Sequence, residues 1–424
     1  MNEVIKEQLR KAHTLHMEGK LGEAELIYNA ILNNEMQNSR ILYLMANLYA
    51  QRGFNGLSVN LLTNALDVEP DFQPAWIDLG VSLKKENKDE MAFKAWERAE
   101  ELGENFEIDV NKATLYADSG EPEKALELCN KAIKKLEKAD QKEFAHVVAS
   151  AHWNKSLALL SLQRWREGWK EHSWRRKLKD VWNERTLIEA PFWNGKKVKK
   201  LFLHGEQGKG DEIMYLTMLK DVQKNAEHVV IEANDAVAKL LRIQNLQNVT
   251  IVESQEQALA LNIKFDAKVS MGDLGSLFRN RASDFDGKAY LKADPQRVNH
   301  YKEELKKLGP GPYVGVAWFG GTKSTKVHKR TISLGKLKRL FDGVTAVSLQ
   351  FGVHCEPEAE KYKLPILGEA SRGIDLAEQA ALVTACDYII SVQGTLVHLA
   401  GALGIKCYVL TCNAPSWRYG SEST

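Results

Sequence analysis

Residues 39–72 read SRILYLMANLYAQRGFNGLSVNLLTNALDVEPDF, and residues 73–106 read QPAWIDLGVSLKKENKDEMAFKAWERAEELGENF. Laid one over the other, Ala46 falls on Gly80, Tyr49 on Leu83, Ser58 on Ala92 and Ala65 on Ala99. The correspondence extends both ways along the chain. Small residues recur at Ala12, Ala46, Gly80 and Ala113, spaced 34, 34 and 33 apart, and Leu15, Tyr49, Leu83 and Tyr116 follow each by three positions. A second set, Ala24, Ser58, Ala92 and Ala125, keeps the same intervals. Each repeat therefore carries two helices, with small residues where the helices cross closely and large ones filling the adjoining space. Gly19, Gly53 and Gly120 fall in the turns between helices, where a left-handed residue ends the first helix.

This pattern resembles that of tetratricopeptide repeats. The best units are Ser39 to Phe72, with Leu42, Ala46, Tyr49, Ala65 and Pro70, and Gln73 to Phe106, with Trp76, Leu79, Gly80, Trp96 and Ala99. A fifth, atypical unit follows an insertion, with Ser156, Leu159 and Gly168 in the corresponding places and a tail reading GWKEHSWRR, so the array is assigned to residues 1–180. A terminal repeat departs from consensus because one of its faces meets something other than another repeat. Two roles fit such an array: a concave surface for a peptide or protein partner, or a support that dimerises or packs on the remainder of the chain.

Composition sets the outer bounds. A chain of 424 residues with 44% hydrophobic side chains has room for two or three ordinary globular cores, which excludes a disordered chain. Lys plus Arg at 58 against Asp plus Glu at 56 leaves a formal charge of +2, too balanced for nucleic acid or anionic lipid to be the main partner. The five cysteines form no CxxC pair and read as reduced thiols, not as a disulfide scaffold or a zinc site. The amino terminus MNEVIKEQLRK has no apolar core of the secretory type, and no stretch approaches the length of a membrane span. The expected setting is cytoplasmic.

From about residue 190 the 34-residue interval gives way to short apolar runs alternating with helical stretches. The runs begin with LFLHG at Leu201, HVVIEA at His228, VTIVE at Val249, YVGVAWFG at Tyr313, VTAVSLQ at Val344, YIISVQ at Tyr388 and KCYVLT at Lys406. This is the βαβ rhythm of a parallel sheet covered on both faces. The polar helical segment 294–312, closed by Gly and Pro, divides the region into two Rossmann-like halves, residues 190–300 and 311–424. Open parallel sheets bind ligands at the carboxyl ends of their strands, so the site is expected there.

Three loops at such ends carry chemistry. LFLHGEQGKGDE places Gly205, Gly208 and Gly210 between a strand and a helix in the order GxxGxG, which is neither the GxGxxG dinucleotide fingerprint nor a phosphate-binding P-loop. It is read as a tight turn presenting Glu206 and Asp211 at the mouth of a cleft; Asp211 there suits either a general base or a helix N-cap. In YIISVQGTLVHLAGALG, Gln393, Gly394 and Thr395 open a helix carrying His398, and a helix amino terminus with Gly and Thr suits an anion. KSTKVHKRTISL crowds Lys323, Lys326, Lys329 and Arg330 into one loop, either a solvated basic loop or a set of cations for phosphate charge. The DFD at Asp284 to Asp286 spells a metal-binding DxD, but its setting in SDFDGKAY fits an Asp/Gly turn better. Tryptophans 153, 165, 169, 174, 182 and 193 gather where the repeats end, and are read as packing there.

From GWKEHSWRR through PFWNGKKVKKLFLHGEQGKGDE, YVGVAWFGG, HKRTISL, VSLQFG, DLAEQAALVTACDYIISV and HLAGALG to APSWRYG, residues 168–420 resemble the heptosyltransferase-like domain of glycosyltransferase family 9, of the GT-B fold. More remotely, the chain is similar to the O-linked N-acetylglucosamine transferases, which also join such repeats to a GT-B domain. The resemblance implies a multidomain protein, an all-α tetratricopeptide superhelix followed by an α/β GT-B-like domain. It implies metal-independent transfer of a sugar from a nucleotide-diphosphate sugar to an acceptor, with no resident cofactor and with the repeats binding acceptor or partner protein. By matched position it makes Asp211 the catalytic base, places Lys326, Lys329 and Arg330 in the donor-phosphate loop, puts Gly394, Thr395 and His398 on the helix receiving the diphosphate, and leaves Glu206, Gly208 and Gly210 as the acceptor-side loop. Two departures from the family are visible: Gln393 stands where Asp is common, and the sequence stops at Thr424 where chains of that family run on into closing helices. A non-catalytic adaptor, with repeats binding protein and a degenerate GT-B scaffold, is the competing expectation.

Overall fold

The computed structural model describes residues 3–34, 38–138, 144–178, 187–321 and 327–420. It divides into two compact units, Met1–Ala158 and Leu159–Thr424.

The first unit is a succession of helix pairs: α1 (Glu3–Met17) with α2 (Leu21–Asn34), α3 (Ser39–Gln51) with α4 (Asn55–Val68), α5 (Gln73–Lys85) with α6 (Asp89–Leu102), and α7 (Phe106–Asp118) with α8 (Pro122–Leu136), followed by α9 (Ala145–Ser161). The small residues of the repeat lie at the crossings: Ala12, Ala24, Ala46, Ser58, Ala92, Ala113 and Ala125 are fully buried. Gly80 shows why the position must stay small. A Cβ there would lie 2.2 Å from the indole nitrogen of Trp96, itself fully buried and donating from Nε1 to the Ile77 carbonyl at 3.0 Å. Burying one such ring removes on the order of 200 Å² from water, about 5 kcal/mol before the entropy of ordering it. Gly53 and Gly120 end the first helices of their pairs at φ of +83° and +82°; in the intervening repeat that place is taken by Asn87 at φ +61°, the side chain best tolerated there after glycine. This unit is a tetratricopeptide-type array.

The second unit begins with α10 (Trp165–His172) and contains two parallel four-stranded sheets. In the first, β1 (Val198–His204), α11 (Lys209–Tyr215), α12 (Leu219–Gln223), β2 (Ala226–Glu232), α13 (Asp235–Arg242), β3 (Val249–Val252), α14 (Gln255–Ala260), β4 (Ala267–Ser270) and α15 (Leu274–Phe278) give the strand order β3-β2-β1-β4. Leu203 stands opposite Ile231 on one side and Val269 on the other. Then α16 (Pro295–Leu308), capped by the Asp294 carboxylate accepting from the Gln296 and Arg297 amides at 2.8 and 3.1 Å, leads into the second sheet. That sheet is built by β5 (Tyr313–Ala317), α17 (Leu334–Leu337), β6 (Thr345–Ser348), α18 (Glu356–Lys361), α19 (Gly368–Arg372), α20 (Leu376–Ala385), β7 (Tyr388–Val392), α21 (Thr395–Leu403) and β8 (Cys407–Leu410), in the order β6-β5-β7-β8. The strand order of both sheets reverses beside their first strand, where β4 and β7 return to the far sides of β1 and β5. Strand-end loops diverge at such a reversal and open a crevice. Helix α16 lies on α20, with the Tyr301 hydroxyl donating to Glu378 at 2.8 Å.

Two of the tryptophans behave as packing. Trp169 and Trp193 are buried in the core of the second unit, and Trp169 donates from Nε1 to the Arg279 carbonyl at 2.7 Å. Asp284 of the DFD accepts from the Asn280 and Arg281 amides at 2.8 and 3.0 Å, which makes it a turn residue. Trp182 lies outside the described residues.

Candidate functional site

The loops at the two reversals meet. After β1 the chain turns through Gly205, where a Cβ would fall 2.5 Å from a Glu212 oxygen, and through Gln207 at φ +65° into α11. Gly208 caps that helix; its amide donates to Asp211 Oδ2 at 3.3 Å. Asp211 is thus a capping carboxylate, but its other oxygen, Oδ1, is 2.7 Å from Arg418 Nη2. Gly210 touches the second sheet's helix α21: a Cβ would lie 3.2 Å from the Thr395 Cα, the Thr395 hydroxyl and His398 Cδ2. Gly394 is the cap of α21 and Thr395 its first residue. Asp211, Gly208, Gly210, Gly394, Thr395 and His398 are therefore brought together.

Glu206 is placed otherwise. It does not stand at the mouth of a cleft but points inward, its carboxylate only 5% exposed and held by Arg175 Nη2 at 2.8 and 3.0 Å. Arg175 is fully buried and also reaches Asp273 at 2.8 Å. Gly272 lies against the pair so closely that a Cβ would fall 1.5 Å from Glu206 Oε1. Burial raises the Glu206 carboxyl above its ordinary range, and the Arg175 charge opposes that shift. This pair is a bolt that fixes the start of the loop. Sequence reasoning missed it because Arg175 precedes Glu206 by 31 residues.

Electrostatics at the meeting point come from burial. His398 is lowered to about 4 by burial and then by the Arg418 charge, so its ring is neutral at pH 7. Its Nε2 is 3.2 Å from the Tyr419 hydroxyl, and the two rings stack with centroids 5.4 Å apart. Burial pushes the Tyr419 phenol up to about 12, while Arg418 and Arg330 act in the opposite direction, which places the Arg330 charge within reach of the same phenol. Arg330 follows a loop end anchored by its own amide on the Val327 carbonyl at 3.1 Å, and its carbonyl would lie 3.2 Å from a Cβ at Gly320, which in turn would meet the Gln393 carbonyl at 2.6 Å. Lys329 lies beside Arg330 and is half-buried; Lys326 and Lys323 fall outside the described residues. Behind the first loop, Glu212 accepts twice from the Asn234 amide at 3.0 and 3.2 Å, and burial pushes both Glu212 and Glu232 up to about 7.

Gln393 is 1% exposed, and among the described residues neither polar atom of its carboxamide has a hydrogen-bond partner. Arg418 and Tyr419 do not stand out in the sequence, although the APSWRYG motif that carries them does; only their distances to Asp211 and His398 assign them here. Among the described residues no group of three or more His, Cys, Asp or Glu is placed to hold a metal, and no helix is long and apolar enough to cross a membrane.

No family model matches the chain. The protein FlbA of Caulobacter vibrioides is 28% identical to it over 406 residues, which cover 86% of this chain and 64% of FlbA. The chain thus spans just under two thirds of the length of that curated relative. Among solved structures, MamA is 18% identical with a TM-score of 0.32, covering 40% of this chain and 95% of MamA. A thermophilic tetratricopeptide-repeat protein of Thermus thermophilus is 17% identical with a TM-score of 0.34, covering 43% of this chain and 93% of its own. YrrB, described as a tetratricopeptide-repeat protein with an unusual peptide-binding site, is 18% identical with a TM-score of 0.31, covering 42% of this chain and 86% of its own.

Proposed function

We propose that the second unit is a metal-independent glycosyltransferase of GT-B arrangement, and that the repeats bind its acceptor or a partner protein. The observation that carries the reading is the meeting of Asp211, Gly210, Thr395 and His398 where two parallel sheets reverse order. A donor diphosphate at the amino terminus of α21 gains the Thr395 amide, the Gly394 amide once the Tyr419 hydroxyl gives it up, and the charge of Arg330, with Lys326 and Lys329 on the same loop. His398, neutral at pH 7, adds a hydrogen-bonding ring without a charge. Asp211 then serves as the base. The acceptor oxygen attacks the anomeric carbon, the bond from that carbon to the phosphate oxygen breaks with its electron pair leaving on the diphosphate, and the acceptor proton passes to Asp211. Gly208, which is exposed, leaves the backbone bare on the acceptor side, while Gly210 lets α11 approach α21. Glu206 takes a positioning role through Arg175, not a direct one.

The adaptor reading draws on two observations: Gln393 in the place of a family Asp, and an Asp211 carboxylate already closed by an arginine. Calorimetric titration of the full chain with UDP-, GDP-, ADP- and CMP-linked sugars separates the two. Saturable binding of one donor, weakened at least about tenfold by Arg330→Ala, supports the transferase. Absence of binding to every donor favours the adaptor.

A further inference from the structure

The segment that closes over Asp211 and His398 is Ser416–Gly420, to which the resemblance assigns no role. Two of its polar side chains, Arg418 and Tyr419, sit on the site's own groups. Arg418 Nη2 is 2.7 Å from Asp211 Oδ1 and 3.1 Å from Gln207 Oε1, and Nη1 donates to Ser416 Oγ at 3.2 Å. Its Nε is buried and has no hydrogen-bond partner among the described residues, which leave the planar fork only partly satisfied. The Tyr419 hydroxyl meets His398 Nε2 at 3.2 Å and receives the Gly394 amide, which puts a phenol oxygen where the α21 cap offers an N–H. Immediately before that cap lies the Gln393 carboxamide, 1% exposed, with both polar atoms unpaired among the described residues. Buried polar groups in this number, grouped around one helix start, point to a polar ligand that completes them.

Resting on the transferase reading above, we propose that Arg418 exchanges partners: it holds the Asp211 carboxylate in this structure and turns to a phosphate of a bound diphosphate, freeing Asp211 to accept a proton. The geometry calls for such an exchange. Asp211 Oδ1, 2.7 Å from Arg418 Nη2, is not open to an acceptor hydroxyl while that contact stands. A diphosphate at the start of α21 is a stronger, doubly charged competitor for the same fork, and the unpartnered Nε gives a second N–H for bidentate contact. The charge of Arg418 already acts on both His398 and Tyr419, so it lies close enough to serve an anion between them. Donor arrival and release of the base are then one event.

The test uses the full chain, with inorganic pyrophosphate and UDP, GDP, ADP and CDP as probes in calorimetric titration, and thermal melting to confirm that each variant is folded. Arg418→Gln is expected to weaken binding of the best probe at least tenfold. Asp211→Asn, which removes the competing carboxylate while keeping the cap, is expected to strengthen it at least threefold, and to lose that gain when combined with Arg418→Gln. If Arg330→Ala weakens binding while Arg418→Gln and Asp211→Asn leave it unchanged, the exchange is wrong and the donor site stands. Should no probe bind to the wild-type chain, both fall together. Where Arg418→Gln fails to fold, the Asp211→Asn result decides alone: unchanged or weakened affinity overturns the proposal.

Discussion

Replacing Arg175 by methionine tests how the loop leading to Asp211 is held in place. The wild-type guanidinium is fully buried, meets Glu206 at 2.8, 3.0 and 3.3 Å and Asp273 at 2.8 Å, and leaves Glu206 only 5% exposed. Removing one partner of such a pair strands a buried charge, which costs about 3–5 kcal/mol. The cost depends on pH in a defined direction. Burial already raises the Glu206 carboxyl, and without Arg175 nothing opposes the rise. A carboxyl whose folded pKa lies above its unfolded value disfavours folding as pH climbs through the folded pKa, and the penalty fades below the unfolded one. The Arg175→Met loss is therefore expected to be largest at pH 8 and to shrink towards pH 5. The double variant Arg175→Met/Glu206→Gln should recover most of it. Differential scanning calorimetry of the full chain resolves the effect, since the array's transition should not move. A loss under about 1 kcal/mol, or an equal loss at pH 5 and pH 8, refutes the bolt.

In the array, Gly80→Ala drives a methyl into the Trp96 ring, 2.2 Å from Nε1, and should cost about 1–3 kcal/mol by denaturant midpoint, with the second unit unaffected. His398, lowered to about 4 by burial, stabilises the fold above its unfolded value and loses that contribution as pH falls from about 6.5 towards 4; histidine NMR titration should show its ring still neutral at pH 5.5. Glu212→Gln removes a carboxyl that burial holds at about 7, so its stability relative to wild type should rise between pH 5 and pH 8 in paired melts. Gly210→Val wedges a branched side chain between α11 and α21, where even a Cβ is 3.2 Å from Thr395 and His398, and should reduce donor affinity at least tenfold in calorimetry.

Much of this architecture is legible in the residues. The 34-residue recurrence works because a helix crossing admits only small side chains, and Ala46, Gly80 and Ala113 mark those crossings. Seven apolar runs correspond to β1, β2, β3, β5, β6, β7 and β8. The strand without a run is β4, AKVS, whose Lys268 carries its amine to the Ile188 carbonyl at 3.1 Å and over the Phe192 ring; a charged side chain that can reach past the sheet leaves no hydrophobic signature. Asp211 and the start of α21 stand out because they follow strands of a parallel sheet at the carboxyl end, where such sheets bind ligands. Arg175, Arg418 and Tyr419 do not, because their meaning lies in pairs separated by 31, 207 and 21 residues, which no local pattern encodes.

Whether the second unit holds a sugar donor is decided by a crystal structure of the full chain with the nucleoside diphosphate that titration selects. The diphosphate is expected at the start of α21, within hydrogen-bond distance of the Gly394 and Thr395 amides and of Arg330. A diphosphate bound elsewhere in the second unit, with those amides untouched, contradicts the donor site proposed here.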